Sequence, residues 1–137
     1  MEIEIQLTNA IIVEHLPPPS ATSLGAWVEF RGVVRGEENG LPIAALEYET
    51  YSPMAEHEMR RIIEAIASAK PCLFARVIHR VGIIPVGEAA IYVGVAGKHR
   101  AEAFGLLTEF IDGLKRNVPI WKRRALAAED LAELKSE

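Results

Sequence analysis

Residues 89–97, AAIYVGVAG, run for nine positions without a charge. Side chains alternate between the two faces of a strand, so a run that is apolar on both has no face to offer water. It predicts an interior strand, paired on both edges and covered on both faces. At 137 residues the chain is about one domain long, and its remaining segments must provide that cover.

Those segments carry mixed periodicities. Ile3, Ile5 and Leu7 alternate with Glu2, Glu4 and Gln6 in a half-buried strand pattern, and PPPS at 17–20 breaks the chain. GAWVEFRGVVR (25–35) and PIAALEYETY (42–51) have strand composition around the polar link GEENG (36–40), which predicts a hairpin over 25–51. Ser52-Pro53 reads as a helix start, with Ser as N-cap. Met54, Met59, Ile62, Ile63 and Ile66 then recur at helical spacing to about Ala69, before Pro71. CLFARVIHRVG (72–82) is a strand leading through a turn near Pro85-Val86-Gly87 to residues 89–97. A second helix runs from about Lys98 to Arg116, stopped by Pro119. Strands and helices intermix with hairpin-like links and no repeat or linker, so the class is α+β and 1–137 reads as a single domain.

Charge is unevenly distributed. The net charge is −4, unlike a general nucleic-acid binder, yet residues 98–124 hold seven Lys/Arg against three Asp/Glu. A local basic region in an acidic chain suits a small anionic ligand. The single cysteine, Cys72, forms no internal disulfide and reads as a small buried hydrophobe. The opening MEIEIQLT is unlike a secretion signal, and no apolar run approaches the roughly 20 residues of a membrane helix. The expectation is a soluble cytoplasmic protein.

On a helical wheel Ala103, Phe104, Leu107, Phe110, Ile111 and Leu114 form one stripe, with Glu102, Glu109, Asp112 and Arg116 opposite. Lys115 lies along the stripe's edge, and Arg100 sits on it. Two accounts fit Lys115: a cation snorkelling at a helix C-terminus, or an ammonium prepared by burial as acid, base or nucleophile. His99-Arg100 open this helix, where free N–H groups favour phosphate, although such a pair also serves structural ends. Beyond Pro119 an extended segment puts Lys122 with Ile120 and opposite Trp121, a core anchor, with Arg123 and Arg124 solvated. Arg35 is a further candidate anion contact. His79 and Arg80 read as closing a hydrogen-bond network. The four histidines show neither HxxxH nor HxH spacing, no phosphate-loop motif is present, and no metal or cofactor is called for.

Five pieces in order, GAWVEFRGVVR (25–35), LEYETYSPMAEHEM (46–59), IHRVG (78–82), VGVAGKHRAEAF (93–104) and IDGLKRNVPIWKRR (111–124), make the chain resemble the catalytic (large) subunit of molybdopterin synthase. The resemblance spans about Gly25 to Arg124, followed by an acidic tail over 125–137. It implies an α/β-hammerhead domain with antiparallel strands and two main helices. It also implies a homodimer that binds two small ubiquitin-like sulfur carriers, giving a heterotetramer. Each carrier's C-terminal Gly-Gly thiocarboxylate would enter a pocket, where two sulfur transfers convert cyclic pyranopterin monophosphate into the dithiolene of molybdopterin. Lys115 and Lys122 match the family's catalytic lysines. Arg35, His99 and Arg100 match its substrate contacts, with Val33, Val34, Arg123 and Arg124 flanking the same site. Family members often carry a longer tail with another Trp and basic residues, where this chain has the acidic ALAAEDLAELKSE.

Two other readings use the same cations. One is a non-catalytic binding protein for a phosphorylated pterin or similar small anion, against which a lysine beside an apolar stripe argues, since a pure clamp favours Arg. The other is a structural homodimer that docks an acidic partner, whose binding salt would weaken steeply.

Overall fold

A computed structural model describes residues 1–136. Along these residues the order is β1 (Glu2–Thr8), β2 (Ala26–Val33), β3 (Glu37–Glu38), β4 (Leu41–Pro42), β5 (Ala45–Thr50), α1 (Met54–Ala67), β6 (Phe74–Arg80), β7 (Gly82–Pro85), β8 (Ala89–Gly97), α2 (Arg100–Asn117), β9 (Ile120–Leu126) and α3 (Ala128–Ser136). The α+β class is as expected. The acidic tail forms α3, which buries none of its residues.

The apolar run 89–97 is β8, and it is interior. It lies between β6 and β2 in a four-stranded sheet of order β1-β6-β8-β2. On one face Ile91, Val93 and Val95 join Met59 and Ile63 of α1 and Leu106 and Phe110 of α2. Complete burial of each such side chain contributes about 1.5–3 kcal/mol. On the other face Tyr92 packs with Ile78, Ile12 and Leu16. The cover there is the irregular segment after β1. Arg31 donates to the carbonyls of Val13 at 2.6 Å and Glu14 at 2.7 Å, and Arg76 donates to that of Pro17 at 2.8 Å. Gly94 is required by the crowding: a Cβ would lie 2.5 Å from the Trp27 ring and 2.8 Å from the Tyr92 hydroxyl.

Three expectations change. β1 runs parallel to β6, so the strands are not all antiparallel; the long intervening connection lets the chain return in the same direction. The hairpin over 25–51 does not form. β2 pairs with β8, while β5 is the centre of a second sheet of order β7-β5-β9. Demand for a partner along β8 outweighs sequence proximity. The link itself forms a small ribbon, β3-β4, turning at Asn39-Gly40 with both φ angles positive. Ser52, finally, does not cap α1 with its side chain: its hydroxyl donates to the Glu56 carboxylate at 2.8 Å, and Pro53 occupies the cap position. Met54 is correspondingly outside the stripe, 56% exposed.

The buried face of α2 is Ala103, Leu106, Leu107, Phe110 and Gly113, rotated from the wheel's stripe. Phe104 is 55% exposed. Glu102 is partly buried, with Oε2 unpartnered, rather than fully solvated. The cause is α1, which packs beside α2: Ile62 would lie 3.0 Å from a Cβ on Gly113, so the missing side chain lets the helices approach. This rotation leaves Ile111, Leu114 and Lys115 on the flank facing the second sheet.

Candidate active site

That flank forms one wall of a cavity of about 540 Å³, a size suited to a small organic ligand. Ile111, Leu114 and Lys115 come from the last turns of α2, and Ile120, Trp121 and Lys122 from the start of β9. Phe30, Val33 and Arg35 come from the end of β2 and the link beyond it. Only Val118 and Pro119 separate α2 from β9. The Pro119 carbonyl accepts the Tyr51 N–H at 3.0 Å, which ties that junction to β5. Two lysines seven positions apart are thus held at one cavity by a helix end and a strand start.

Their surroundings differ. Lys115 follows Ile111 by one helical turn and has no carboxylate within ion-pair distance among the described residues. It is exposed at the cavity lip rather than buried, because the cavity opens to solvent beside the helix end. Lys122 Nζ lies 3.2 Å from Glu38 Oε2 of β3, and its cross-strand neighbour is Tyr48. Burial raises the Tyr48 hydroxyl's pKa, with nearby Lys122 opposing and Glu38 reinforcing the effect.

Trp121 is 45% exposed and lines the cavity, so it is not a core anchor. Strict alternation would have set it opposite Lys122. β9 is an edge strand, however, and the cavity wraps round its start to meet side chains of both faces. The register slips between Glu47 and Tyr48, which pair with Arg124 and Lys122, leaving Arg123 as the bulged residue. Arg124 bonds Glu47 at 2.6 Å and Arg123 lies 3.3 Å from Glu49, so both guanidiniums are engaged by β5 rather than merely solvated. Val34 points away: it is buried with Leu46, Ile84 and Ala90, and its N–H and carbonyl bond Glu88 and Gly87.

His99 and Arg100 stand at the other end of α2. Fifteen residues at 1.5 Å rise put Arg100 roughly 22 Å along the axis from Lys115. His99 is the extended N-cap residue, without a side-chain capping bond, and lines a separate cavity of about 290 Å³ with Pro71, Cys72, Leu73, Lys98 and Glu102. Burial pushes the Cys72 thiol up to about 11, with Glu102 adding to the shift, in keeping with a structural thiol.

The family model described as MoaE protein matches residues 4–117. The chain belongs to the MoaE family. The molybdopterin synthase catalytic subunit of Homo sapiens is 42% identical over 99 residues, 72% of this chain and 53% of that protein. The subunit of the same name from Pyrococcus abyssi is 41% identical over 112 residues, covering 82% and 76%. The chain spans about half the length of the human, rat and bovine MoaE relatives. Molybdopterin synthase from Staphylococcus aureus superposes with a TM-score of 0.75 at 29% identity, over 93% of this chain and 91% of that one. A chain from the complex of subunits 1 and 2 of molybdopterin-converting factor from Helicobacter pylori gives 0.63 at 25% identity, covering 79% and 74%.

In this MoaE-family chain the cavity also holds residues that the sequence did not single out for it: Phe30, Glu37, Glu38, Tyr48 and His79. Glu38 and Tyr48 are neighbours of Lys122 only through strand pairing and the β3-β4 turn. His79 had a local signal, a polar residue inside the apolar run of β6, but nothing along the chain says that it faces a cavity. No helix of the described residues is long and apolar enough to cross a membrane.

Proposed function

We propose that this chain is the catalytic subunit of a molybdopterin synthase, a cytoplasmic sulfurtransferase of molybdenum cofactor biosynthesis. The observation that carries the reading is the pair Lys115 and Lys122 converging on one largely apolar cavity in a MoaE-family chain. Apolar side chains of Phe30, Val33 and Trp121 border the opening and suit an extended peptide, here the Gly-Gly thiocarboxylate terminus of a small ubiquitin-like carrier. The likeness to a chain from the H. pylori two-subunit complex supports such a partner.

The chemistry assigns work to each cation. The carrier's thiocarboxylate sulfur bonds to a side-chain carbon of cyclic pyranopterin monophosphate as a carbon–oxygen bond there breaks. Water then cleaves the acyl carbon–sulfur bond, leaving sulfur on the pterin and a carboxylate on the carrier. The sequence occurs twice. Lys122, held by Glu38 and adjoining Tyr48, is a fixed cation for the phosphate and the charge that develops as its cyclic ester opens. Lys115, without an acidic partner, moves protons at the reacting side chain. Arg35, exposed on the lining of the same cavity, adds a further positive charge.

His99 and Arg100 join the same substrate only from a second subunit, since one α2 holds them roughly 22 Å from Lys115. A homodimer in which each cavity is closed by the partner's α2 start accounts for both clusters. With two carriers it is a heterotetramer. Arg123 and Arg124 then brace Glu47 and Glu49 beside the site, and become substrate contacts if the phosphate displaces those carboxylates.

The test is product formation from purified chain, thiocarboxylated carrier and cyclic pyranopterin monophosphate. Wild type makes molybdopterin, and Lys115→Ala loses about 100-fold or more in kcat, the scale of general acid–base catalysis. Absence of product from wild type with a competent carrier refutes the assignment. An unimpaired Lys115→Ala variant removes Lys115 from the chemistry.

A further inference from the structure

We propose that His79 is a substrate contact: its Nε2 accepts a hydrogen bond from a ring N–H of the pterin seated in the cavity. The proposal rests on the functional reading above and adds a recognition element to it. Among the described residues, His79 and Arg80 are the buried polar side chains of the chain, each 5% exposed. Arg80 is paired with Glu88, 2.7 Å from its Nη1, and its Nε is buried without a partner. His79 lines the cavity.

The ring's protonation follows from its one protein partner. Nδ1 lies 2.7 Å from the Arg80 carbonyl oxygen, and a carbonyl only accepts, so Nδ1 carries the proton. Burial disfavours a second proton, so Nε2 presents a lone pair. No described side chain or backbone group donates to it. An acceptor on a cavity wall left without a donor is costly once water is displaced, so a bound ligand must supply one. Tyr48 fixes the ring edge-on, centroids 5.4 Å apart, and is itself the cross-strand neighbour of Lys122.

The cavity therefore has two chemical ends. Arg35, Lys115 and Lys122 are exposed cations at its opening, whereas His79 is an acceptor set among Ile91, Leu114 and Ile120. A ligand with a phosphate at one end and an N–H-edged flat heterocycle at the other satisfies both. A pterin monophosphate has that layout; a simple phosphate ester without N–H groups does not.

Two substitutions separate recognition from structure. In His79→Asn the amide keeps a donor near Nδ1 for the Arg80 carbonyl but falls short of the Nε2 position. In His79→Gln an amide oxygen reaches that position and the bond to Arg80 is given up. Calorimetric titration with cyclic pyranopterin monophosphate is expected to show Kd raised roughly 10-fold or more for Asn, while thermal unfolding gives a Tm near wild type. Gln is expected to retain affinity within about 3-fold despite a lower Tm. Asn binding like wild type, or affinity falling in both variants in step with Tm, overturns the proposal. Wild type that fails to bind the pterin overturns the functional reading and this inference together.

Discussion

The two ends of α2 carry cations in opposite electrostatic settings. At the C-terminal end the helix dipole favours positive charge, so Lys115 and Arg116 are at home there. At the N-terminal end the dipole opposes Lys98 and Arg100, and His99 makes no side-chain capping bond that would explain its place. Cations added to an already positive helix end make sense when an anion is to be held. The C-terminal end has a cavity of about 540 Å³ with a lysine at its lip; the N-terminal end has donors beside a smaller cavity of about 290 Å³. On the proposed reading a phosphorylated heterocycle would use the cations of both ends, and two copies would bring those ends together.

The largest effect lies between the ends. Phe110 is fully buried where α2 meets α1 and β8. Phe110→Ala is expected to cost about 3–5 kcal/mol in urea unfolding, and a loss under about 1 kcal/mol would mean the ends are held independently of this core. The sharpest test of the pairing is complementation. Lys115→Ala and Arg100→Ala homodimers are each expected to be nearly inactive. Unfolded and refolded together, they should recover about a quarter of wild-type activity, because half the dimers are mixed and each mixed dimer has one intact site of two. No recovery, with mixed dimers shown by mass, places the two clusters in separate functions.

Cys72 reports on the N-terminal end. With its thiol near 11 instead of the ordinary 9, alkylation at pH 8 should run about 100-fold slower than in denaturant. Because the folded state holds the thiol proton more tightly, stability should fall as pH rises from about 9 through about 11, and Cys72→Ala should flatten that decline. Rapid labelling at pH 8 would show that this end opens readily. The smallest effect belongs to the Lys122–Glu38 pair, which is largely exposed. Glu38→Gln should change stability by less than about 1 kcal/mol, while weakening the hold on Lys122 enough to raise KM.

Much of the fold was legible along the chain. The interior position of 89–97, both main helices and the extended segment after Pro119 follow from periodicity and from proline placement. Strand pairing did not. The proximity of 25–35 to 42–51 suggested a hairpin, but β8 took β2 as its neighbour because its apolar edges had to be paired. The rotation of α2 was equally out of reach, since it depends on Ile62 settling against Gly113. That rotation exposes Phe104 and turns Lys115 toward the second sheet.

At the site, residue identities were readable and their grouping was not. Lys115 and Lys122 stand out because a charge beside an apolar pattern is costly unless it is used or reaches water. Trp121 was misassigned to the core because the pattern of one strand cannot say that the strand is an edge bordering a cavity. Glu38, Tyr48 and His79 are distant from the lysines in sequence, and only the pairing of β5 with β9, the turn at Asn39-Gly40 and the place of β6 beside β8 bring them to the same cavity.

By itself, then, the sequence determined the elements, the interior strand, and which side chains are too polar for their surroundings to be idle, because these depend on local periodicity and transfer cost. The tertiary structure decided which of those side chains share a cavity and which α2 holds roughly 22 Å apart, because pairing between distant strands and helix rotation are set by whole-chain packing rather than by any one segment.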